Sequence, residues 1–489
     1  MDTEANRHEF TKLQLCKILD DILGKTLGEI DSRNVFSKTL TNPKVTGIAG
    51  DVIEQSVMGY PADNKQEPDL IIDGIKTELK TTGIRLSKKQ SNKYEAKEPM
   101  SITAVSPQII VDESFPTSNF WHKLEHLLLV YYLYASNKTV IASEYANFPV
   151  KGYEFHEFNA DDREILKNDW TTVRDFIREL QSKYIAYEDE YPRISSELRS
   201  KLLYIDTAPK WPNRPRFRLK RTVVTGLVQE HFGDALEQLP GKYTSYADID
   251  VKLHDLTCKY AQKTVLQLTQ HLGITGTLTN KSIAERIVVR MFDGHAKKLQ
   301  QINIFRKIGL LAKTVVLTNQ GLRTEDMKLF RLDFGEICNP DITFEDSSFY
   351  DYFSECQMLC ILFEEPNVDS AFEKNIFMGF KRISFSDDFM DKCVRPVWDR
   401  IRHIIFSNTL KDVIEIDKTT GLPRKNKKTG IIKSAPNFPK SAEGLIFVRG
   451  SSSDSTYKPE NVNGISMYAQ YLWIKGKYIA DRLSEEKFI

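Results

Sequence analysis

The alternation of apolar and polar positions divides the chain into elements before any chemistry is considered. Over 9–30 (EFTKLQLCKILDDILGKTLGEI) Leu and Ile recur at helical spacing, which predicts an opening amphipathic helix. A second helix is predicted over 47–58 (GIAGDVIEQSVM), stopped by Gly59 and the turn-rich PADNKQEP. The run DLIIDGIKTELKTTGI then reads as two short strands broken at Asp73-Gly74, a dipeptide typical of hairpin turns. Further strands are predicted at 101–105, 126–134 and 202–205, with a long helix across 160–184. In RFRLKRTVVTGLVQEHF the period changes from alternating to helical. Strands and helices mixed in this way predict an α+β, or mixed α/β, fold.

The second half echoes the first. Gly24-Lys25-Thr26-Leu27 returns as Gln262-Lys263-Thr264-Val265, and Lys80-Thr81 as Lys313-Thr314, at nearly the same offset. Phe217-Arg218-Leu219-Lys220 returns as Leu472-Trp473-Ile474-Lys475 at a larger offset. A basic insertion, DKTTGLPRKNKKTGIIK at 417–433, accounts for the difference and reads as a flexible loop. Each echo is weak alone, but several in order predict two related domains, 1–240 and 241–489.

Composition narrows the class. The chain has 489 residues, 41% hydrophobic and 28% charged, enough apolar material for ordinary cores and incompatible with disorder throughout. With 68 Lys+Arg against 67 Asp+Glu the net charge is +1, so a nucleic-acid surface has to be local. The longest dense apolar run, near Leu127–Tyr134, falls far short of the roughly 18 residues of a membrane span. The polar start MDTEANRHEF carries both charge signs and does not read as a secretory signal. Six cysteines lie scattered without CxxC spacing, which favours a reduced, cytoplasmic protein.

The informative constellation is Glu54, Asp69, Glu78 and Lys80. Residues two apart in a strand share a face, so Glu78 and Lys80 are predicted side by side. Asp69 lies on the preceding strand, able to approach across the hairpin. Two neighbouring carboxylates are hard oxygen ligands suited to Mg²⁺, and a lysine beside them can orient and help deprotonate a water. The bare Glu-x-Lys pattern is unspecific, since roughly two or three matches follow from composition. Glu95-Ala96-Lys97 and Glu485-Glu486-Lys487 also fit it, and read as solvated surface.

Gly50-Asp51-Val52-Ile53-Glu54, Pro68-Asp69-Leu70 and Gly74-Ile75-Lys76-Thr77-Glu78-Leu79-Lys80-Thr81 resemble the active-site segments of the MutH family. That family comprises a strand-nicking mismatch-repair endonuclease and type II restriction endonucleases that cleave GATC. The resemblance spans most of 10–235, with a weaker copy over roughly 255–485. It implies two tandem restriction-endonuclease-like domains, each a mixed central sheet flanked by helices. It also implies Glu54, Asp69, Glu78 and Lys80 as catalytic residues, with Mg²⁺ held by Glu54, Asp69, Glu78 and Leu79. One departure is a family lysine eight residues before the helix acid, where this chain has Thr46, with Lys44 two residues earlier.

A local basic run supports a DNA partner. Residues 210–221 (KWPNRPRFRLKR) hold six Lys/Arg and no acid, with Trp211 and Phe217 interleaved. The family places its DNA-contacting segment here, which marks Lys210, Arg214, Arg216, Arg218 and Lys220. The matching positions in the second half are Arg449, Lys475 and Lys477. There the carboxylate positions become Ile304, Leu311 and Val289, and only Lys313 survives. Such a copy is expected to bind DNA or the first copy, as a DNA-binding or allosteric effector domain, without cutting. The expectation is a Mg²⁺-dependent type II restriction endonuclease acting at GATC in double-stranded DNA, a monomer working as a pseudo-dimer. Engagement of two sites and dimerisation on DNA are left open. The alternatives are a strand-nicking repair endonuclease and a non-catalytic DNA-binding regulator.

Overall fold

The computed structural model describes residues 8–43, 45–60, 67–87, 93–136, 140–208, 213–233, 236–276, 281–323, 325–367, 370–417, 419–427, 429–452 and 454–489. They form two compact units, but the division is not a single cut. The first comprises 1–136, 140–250 and 292–310; the second comprises 137–139, 251–291 and 311–489. Residues 292–310, on the far side of the sequence midpoint, thus belong with the first unit.

The first unit is a mixed α+β structure. Its main sheet runs in the order Glu9–Phe10, Leu70–Ile72, Ile75–Leu86, Leu127–Leu133, Val150–His156, with Tyr94–Ala96 added beside Ile75–Leu86. Ile75–Leu86 is antiparallel to Leu70–Ile72 and parallel to Leu127–Leu133. Alternation along these strands sends Leu79, Leu128 and Val130 into one core, against Leu15, Leu19, Val52 and Ile53. The opposite face carries Glu78 and Lys80. A separate antiparallel sheet joins Met100–Ala104, Arg216–Leu219 and Ile205–Asp206. The strand expected at 202–205 is confined to this last pair of residues.

The opening helix is shorter than its apolar pattern predicts. Thr11 and Gln14 form a reciprocal capping box, and the helix covers Lys12–Asp20. Beyond it Gly24 takes φ +81°, and the Gly24 and Leu27 N–H groups donate to Val150 and Phe148. The backbone there spends its hydrogen bonds on the sheet edge, so no helix continues to residue 30. The long helix is Ala160–Lys183, started by Asn159, whose side chain accepts from two backbone N–H groups. Glu95 and Lys97 are not solvated surface: Glu95 pairs with Arg85 at 3.0 Å, and Lys97 lies over the Tyr134 ring at 4.5 Å.

The second unit repeats this local construction. Gln262 has φ +66°, its N–H donates to Phe377, and the Phe377 N–H returns to Lys263. Thr264 and Gln267 then cap the helix Val265–His271 reciprocally. One sheet orders Leu310–Thr318, Gln357–Glu365 and Ile376–Ile383; another orders Met327–Arg331, Gln470–Ile474 and Ile446–Gly450. The late strand-to-helix step recurs as well, with Lys220 at the N-cap of Arg221–His231 and Lys475 at that of Gly476–Glu485. The insertion after residue 411 is not a structureless loop. Asp412–Ile414 pairs antiparallel with Ser434–Pro436, and the ribbon forks into two small hairpins with bridges Ile416–Pro423 and Lys425–Ile432.

Segment 292–310 is fastened into the first unit by Lys307. Its side chain is 2% exposed, and Nζ lies 3.1 Å from Asp162 and 3.4 Å from Glu230. Tyr204 donates to the other Asp162 oxygen at 2.6 Å, and Thr222 donates to the Lys307 carbonyl at 2.7 Å. Gly226 leaves room for the stem, since a Cβ there would stand 3.0 Å from Lys307 Cγ. Removing one partner of such a pair strands a buried charge, at a cost of about 3–5 kcal/mol. Lys307→Met is therefore expected to lower the thermal midpoint of the full chain, and Asp162→Asn added to it should recover most of the loss. A single variant as stable as wild type would show that this pair does not anchor the segment.

Candidate active site

The hairpin turn sets the site. Asp73 and Gly74 take φ +48° and +84°, as a two-residue turn matched to strand twist requires. The resulting register pairs Leu70 with Thr77 and leaves Asp69 beside Glu78. The Leu79 N–H donates to Asp69 Oδ2 at 3.0 Å, fixing the carboxylate. His8 Nδ1 lies 2.8 Å from the Asp69 carbonyl oxygen, tying the N-terminal edge to the same turn.

Glu78 and Lys80 share a face, as their spacing predicts. Lys80 Nζ donates to Glu78 Oε1 at 2.6 Å. The Glu78 side chain is only 1% exposed, too buried for a lone carboxylate to remain charged without partners. A second ammonium completes the arrangement: Lys123 donates to both Glu78 oxygens, each at 3.0 Å. Lys123 follows the short helix Asn119–His122, which Ser118 caps by accepting from the Trp121 N–H. No local pattern marks it. It lies 45 residues from Glu78, and only the fold brings it there.

Glu54 sits in the π-helical turn Ile53–Met58, which prolongs the helix Ile48–Val52 and ends at Gly59 with φ +85°. Single π turns within helices occur frequently at functional sites. Burial, then the charges of Asp69 and Asp51, push the Glu54 carboxyl up to about 7. Burial and the neighbouring Glu78 also raise Asp69. Three acids thus crowd a half-buried space, two of them held above their ordinary range by one another and by desolvation. Among the described residues no group of three or more His, Cys, Asp or Glu is poised to hold a metal ion. The Leu79 side chain is buried in the core on the other face. Lys44 lies outside the described residues.

The predicted basic segment divides. Lys210 and Trp211 lie outside the described residues. Arg216 is exposed, and Arg214 donates to Ser106 Oγ at 2.6 Å from an exposed position. Arg218 makes a two-point pair with Asp206, at 2.8 and 3.0 Å. Lys220 is 1% exposed and donates to the Leu202 carbonyl, so it serves the interior. Phe217 is likewise a core residue, its ring 4.8 Å from that of Phe120. In the second unit Arg449 is exposed, stacks over Trp473 at 4.9 Å and pairs with Asp326 at 2.8 Å. Lys477 is exposed, and Lys475 is half-buried. At the second unit's counterpart of the acid-x-lysine strand, Leu311 replaces Glu78, and Lys313 donates to the Lys328 carbonyl at 3.0 Å. Val289 is fully buried, while Ile304 lies on the helix Asn303–Lys307.

The mixed sheet thus brings an acid and an acid-x-lysine pair together at one hairpin. The model of the MutH family, described as DNA mismatch repair enzyme MutH, matches residues 58–169, which contain Asp69, Glu78, Lys80 and Lys123. The type II restriction enzyme Sau3AI of Staphylococcus aureus is similar nearly end to end, 24% identical over 514 aligned residues that cover 95% of this chain and 96% of that enzyme. The resemblance read from the sequence thus has support in the first unit and along the whole length.

The Glu54 carboxyl links the site to stability. Between its ordinary 4.5 and about 7 the folded protein holds a proton that the unfolded chain has released. Stability contributed by neutral Glu54 is therefore lost as pH rises through this window. Glu54→Gln is expected to raise the melting temperature at pH 8 and to flatten its decline between these values. The gain should be about 1–2 kcal/mol, discounted because the group is only partly buried. An unchanged pH profile would place no such proton on Glu54.

Proposed function

We propose that this chain is a type II restriction endonuclease making Mg²⁺-dependent double-strand cuts at GATC sites, with catalysis in the first unit and DNA engagement in the second. The observation that carries the reading is Glu78, buried between Lys80 and Lys123 and flanked by Asp69 and Glu54. The end-to-end similarity to a type II restriction enzyme supports it. The donor set is all oxygen, as a hard divalent cation prefers, and burial first, then neighbouring carboxylates, raise Glu54 and Asp69, both effects that a cation would offset. Glu54, Asp69, Glu78 and the main chain of Leu79 would hold Mg²⁺. Once bound, the ion supplies Lewis-acid polarisation of the scissile phosphate and acidifies a water.

The chain's own groups do the rest. Asp69, fixed by the Leu79 N–H, keeps its position at the hairpin. Lys80, 22% exposed at the edge of the site, orients the attacking water by donating to its oxygen, which helps that water lose its proton to a neighbouring carboxylate or to solvent. Lys123 holds Glu78 from the other side, so Glu78 stays charged and in place when Lys80 turns toward water. Arg214 and Arg216, outside the site and exposed, approach the DNA backbone or base edges. Double-stranded DNA is the partner, bound by a monomer acting as a pseudo-dimer, with Arg449, Lys475 and Lys477 as the second unit's contacts.

Asp69→Ala, Glu78→Ala and Lys80→Ala are each expected to abolish cleavage of a GATC plasmid while leaving duplex binding largely intact. Lys123→Ala should reduce turnover about 10²-fold, the scale of losing one preorganised donor. Mg²⁺ should raise the thermal midpoint of wild type and do so less in Glu54→Ala. Wild-type turnover in any of the first three variants would remove the assignment. Supercoiled plasmid should end as linear DNA. A product arrested at the open circle would favour a nicking enzyme, the second reading, which the mismatch-repair family match supports.

Recognition is tested at Arg216. Its replacement by Ala is expected to cost about 1–3 kcal/mol of discrimination if it reads a base edge, or to lower the salt slope by about one if it meets a phosphate. Unchanged affinity, specificity and salt slope would take this strand out of the interface.

A further inference from the structure

The forked ribbon after residue 411 is built unlike any other part of the second unit. Asp412, Val413 and Ile414 are successive strand residues, and all three are exposed. Side chains alternate between faces, so neither face of this strand is covered, while its partner Ser434–Pro436 is half-buried and ends on the buried Pro436. Val413 is 50% exposed, Ile414 48%, Ile416 51%, Leu422 65% and Ile432 45%, the most concentrated display of large apolar side chains among the described residues of that unit. A two-stranded ribbon in water is marginal by itself. This one is nevertheless shaped with care, its two hairpins turning at Gly421 and Gly430, both at φ +70°. Backbone bonds cross the fork, Arg424 N–H to Glu415 and Lys433 N–H to Arg424, both at 2.8 Å.

Charge tells which partner suits it. Arg424, Lys425, Lys427 and Lys433 all stand exposed on the fork. Arg424 pairs with Asp417 at 3.4 Å, and the three lysines have no ion-pair partner among the described residues. Of the acids, Asp412 and Glu415 lie toward the base, Asp417 lies in the first hairpin against Arg424, and residues 419–436 contain no acidic residue. A cleft of about 650 Å³ separates the ribbon from the sheet strand Ile446–Gly450 and the adjoining 451–458 segment. Arg449, Ser451, Ser452, Ser455 and Lys458 line its far side. The ribbon is tied to that far side at two points, Lys458 Nζ to Asp412 Oδ2 at 3.3 Å near its base and the Thr429 and Ser455 hydroxyls at 2.9 Å, while Arg424, Lys425, Lys427 and Lys433 stay exposed on its hairpins.

We infer that residues 411–436 are a DNA clamp, a β-arm that lays its basic hairpins along duplex DNA held by the second unit. This rests on the proposed reading of that unit as DNA-engaging and adds the element that grips. A two-stranded ribbon fits the major groove, about 12 Å wide, and lysines along it neutralise phosphates. The exposed Leu422-Pro423 and Ile431-Ile432 tips meet sugars and base edges, which covers the apolar surface that the fold leaves open.

The experiment uses the full chain and a short duplex carrying one GATC. Binding of Arg424→Ala/Lys425→Ala/Lys427→Ala/Lys433→Ala is measured across salt concentrations beside wild type. A charge-matched control replaces Lys167, Lys183, Lys252 and Lys259. The arm variant should bind at least about tenfold more weakly, with a salt slope smaller by about three, each lost phosphate contact removing about 0.9. The control should keep the wild-type slope. An arm variant indistinguishable from wild type, or a control that loses as much, overturns the clamp. So does a wild-type dimer in sedimentation that Leu422→Ser/Ile432→Ser dissociates without changing DNA binding, since the arm would then join two copies of the chain. Cleavage is read separately: a wild type that binds with the expected slope but never cuts counts against the nuclease reading and leaves the clamp standing.

Discussion

A carboxylate buried almost completely inside a sheet is the constraint around which the first unit is arranged. Glu78 cannot keep its charge there alone, because taking one ion out of water costs several kcal/mol. It is compensated by two ammonium groups, one two residues along the same strand and one delivered from a separate helix. The hairpin at Asp73-Gly74 then brings a second carboxylate beside it, and the π turn brings Glu54 close enough to feel both. The sheet register, the turn and the cap before Lys123 are all conditions for keeping one charge in place.

That arrangement is electrostatically balanced yet tense. Glu78 is neutralised by lysines, whereas Glu54 and Asp69 are raised by burial and by the acids around them. Glu54 and Asp69, whose charged forms burial disfavours, are the groups proposed above to hold a cation.

The two units share local constructions and differ in their charged centres. The positive-φ residue, the reciprocal threonine bonds (Thr26 with Glu29, Thr264 with Gln267) and the exchanged backbone bonds recur at Gly24 and Gln262, because they set the edge of a sheet in either unit. The charged centre does not recur, and Leu311 stands where Glu78 stands in the first. A sheet with leucine there needs no buried ammonium pair, and Lys313 turns to a backbone carbonyl instead. Elsewhere the second unit has gained the forked ribbon, whose exposed isoleucines have no counterpart in the first unit's interior logic.

Local pattern alone determined a good deal. The helix acid, the Asp73-Gly74 turn, the alternation that pairs Glu78 with Lys80 and the switch from strand to helix at Lys220 are all short-range consequences of spacing and turn chemistry, and the structure has each of them. The length of the opening helix was not determined, because Gly24 and Leu27 bond across to a strand more than a hundred residues away. Nor was the use of the basic residues: Lys220 and Phe217 look identical to their neighbours in sequence but point inward, and burial is a property of the assembled layers. Lys123 and Lys307 were illegible for the same reason, each finding its carboxylate only across a sequence separation of 45 and 145 residues, respectively. The sequence by itself settled which groups could do chemistry at one hairpin; tertiary structure decided which charges are shared, which are buried, and which remain at the surface, because desolvation and pairing depend on what the fold packs around each group.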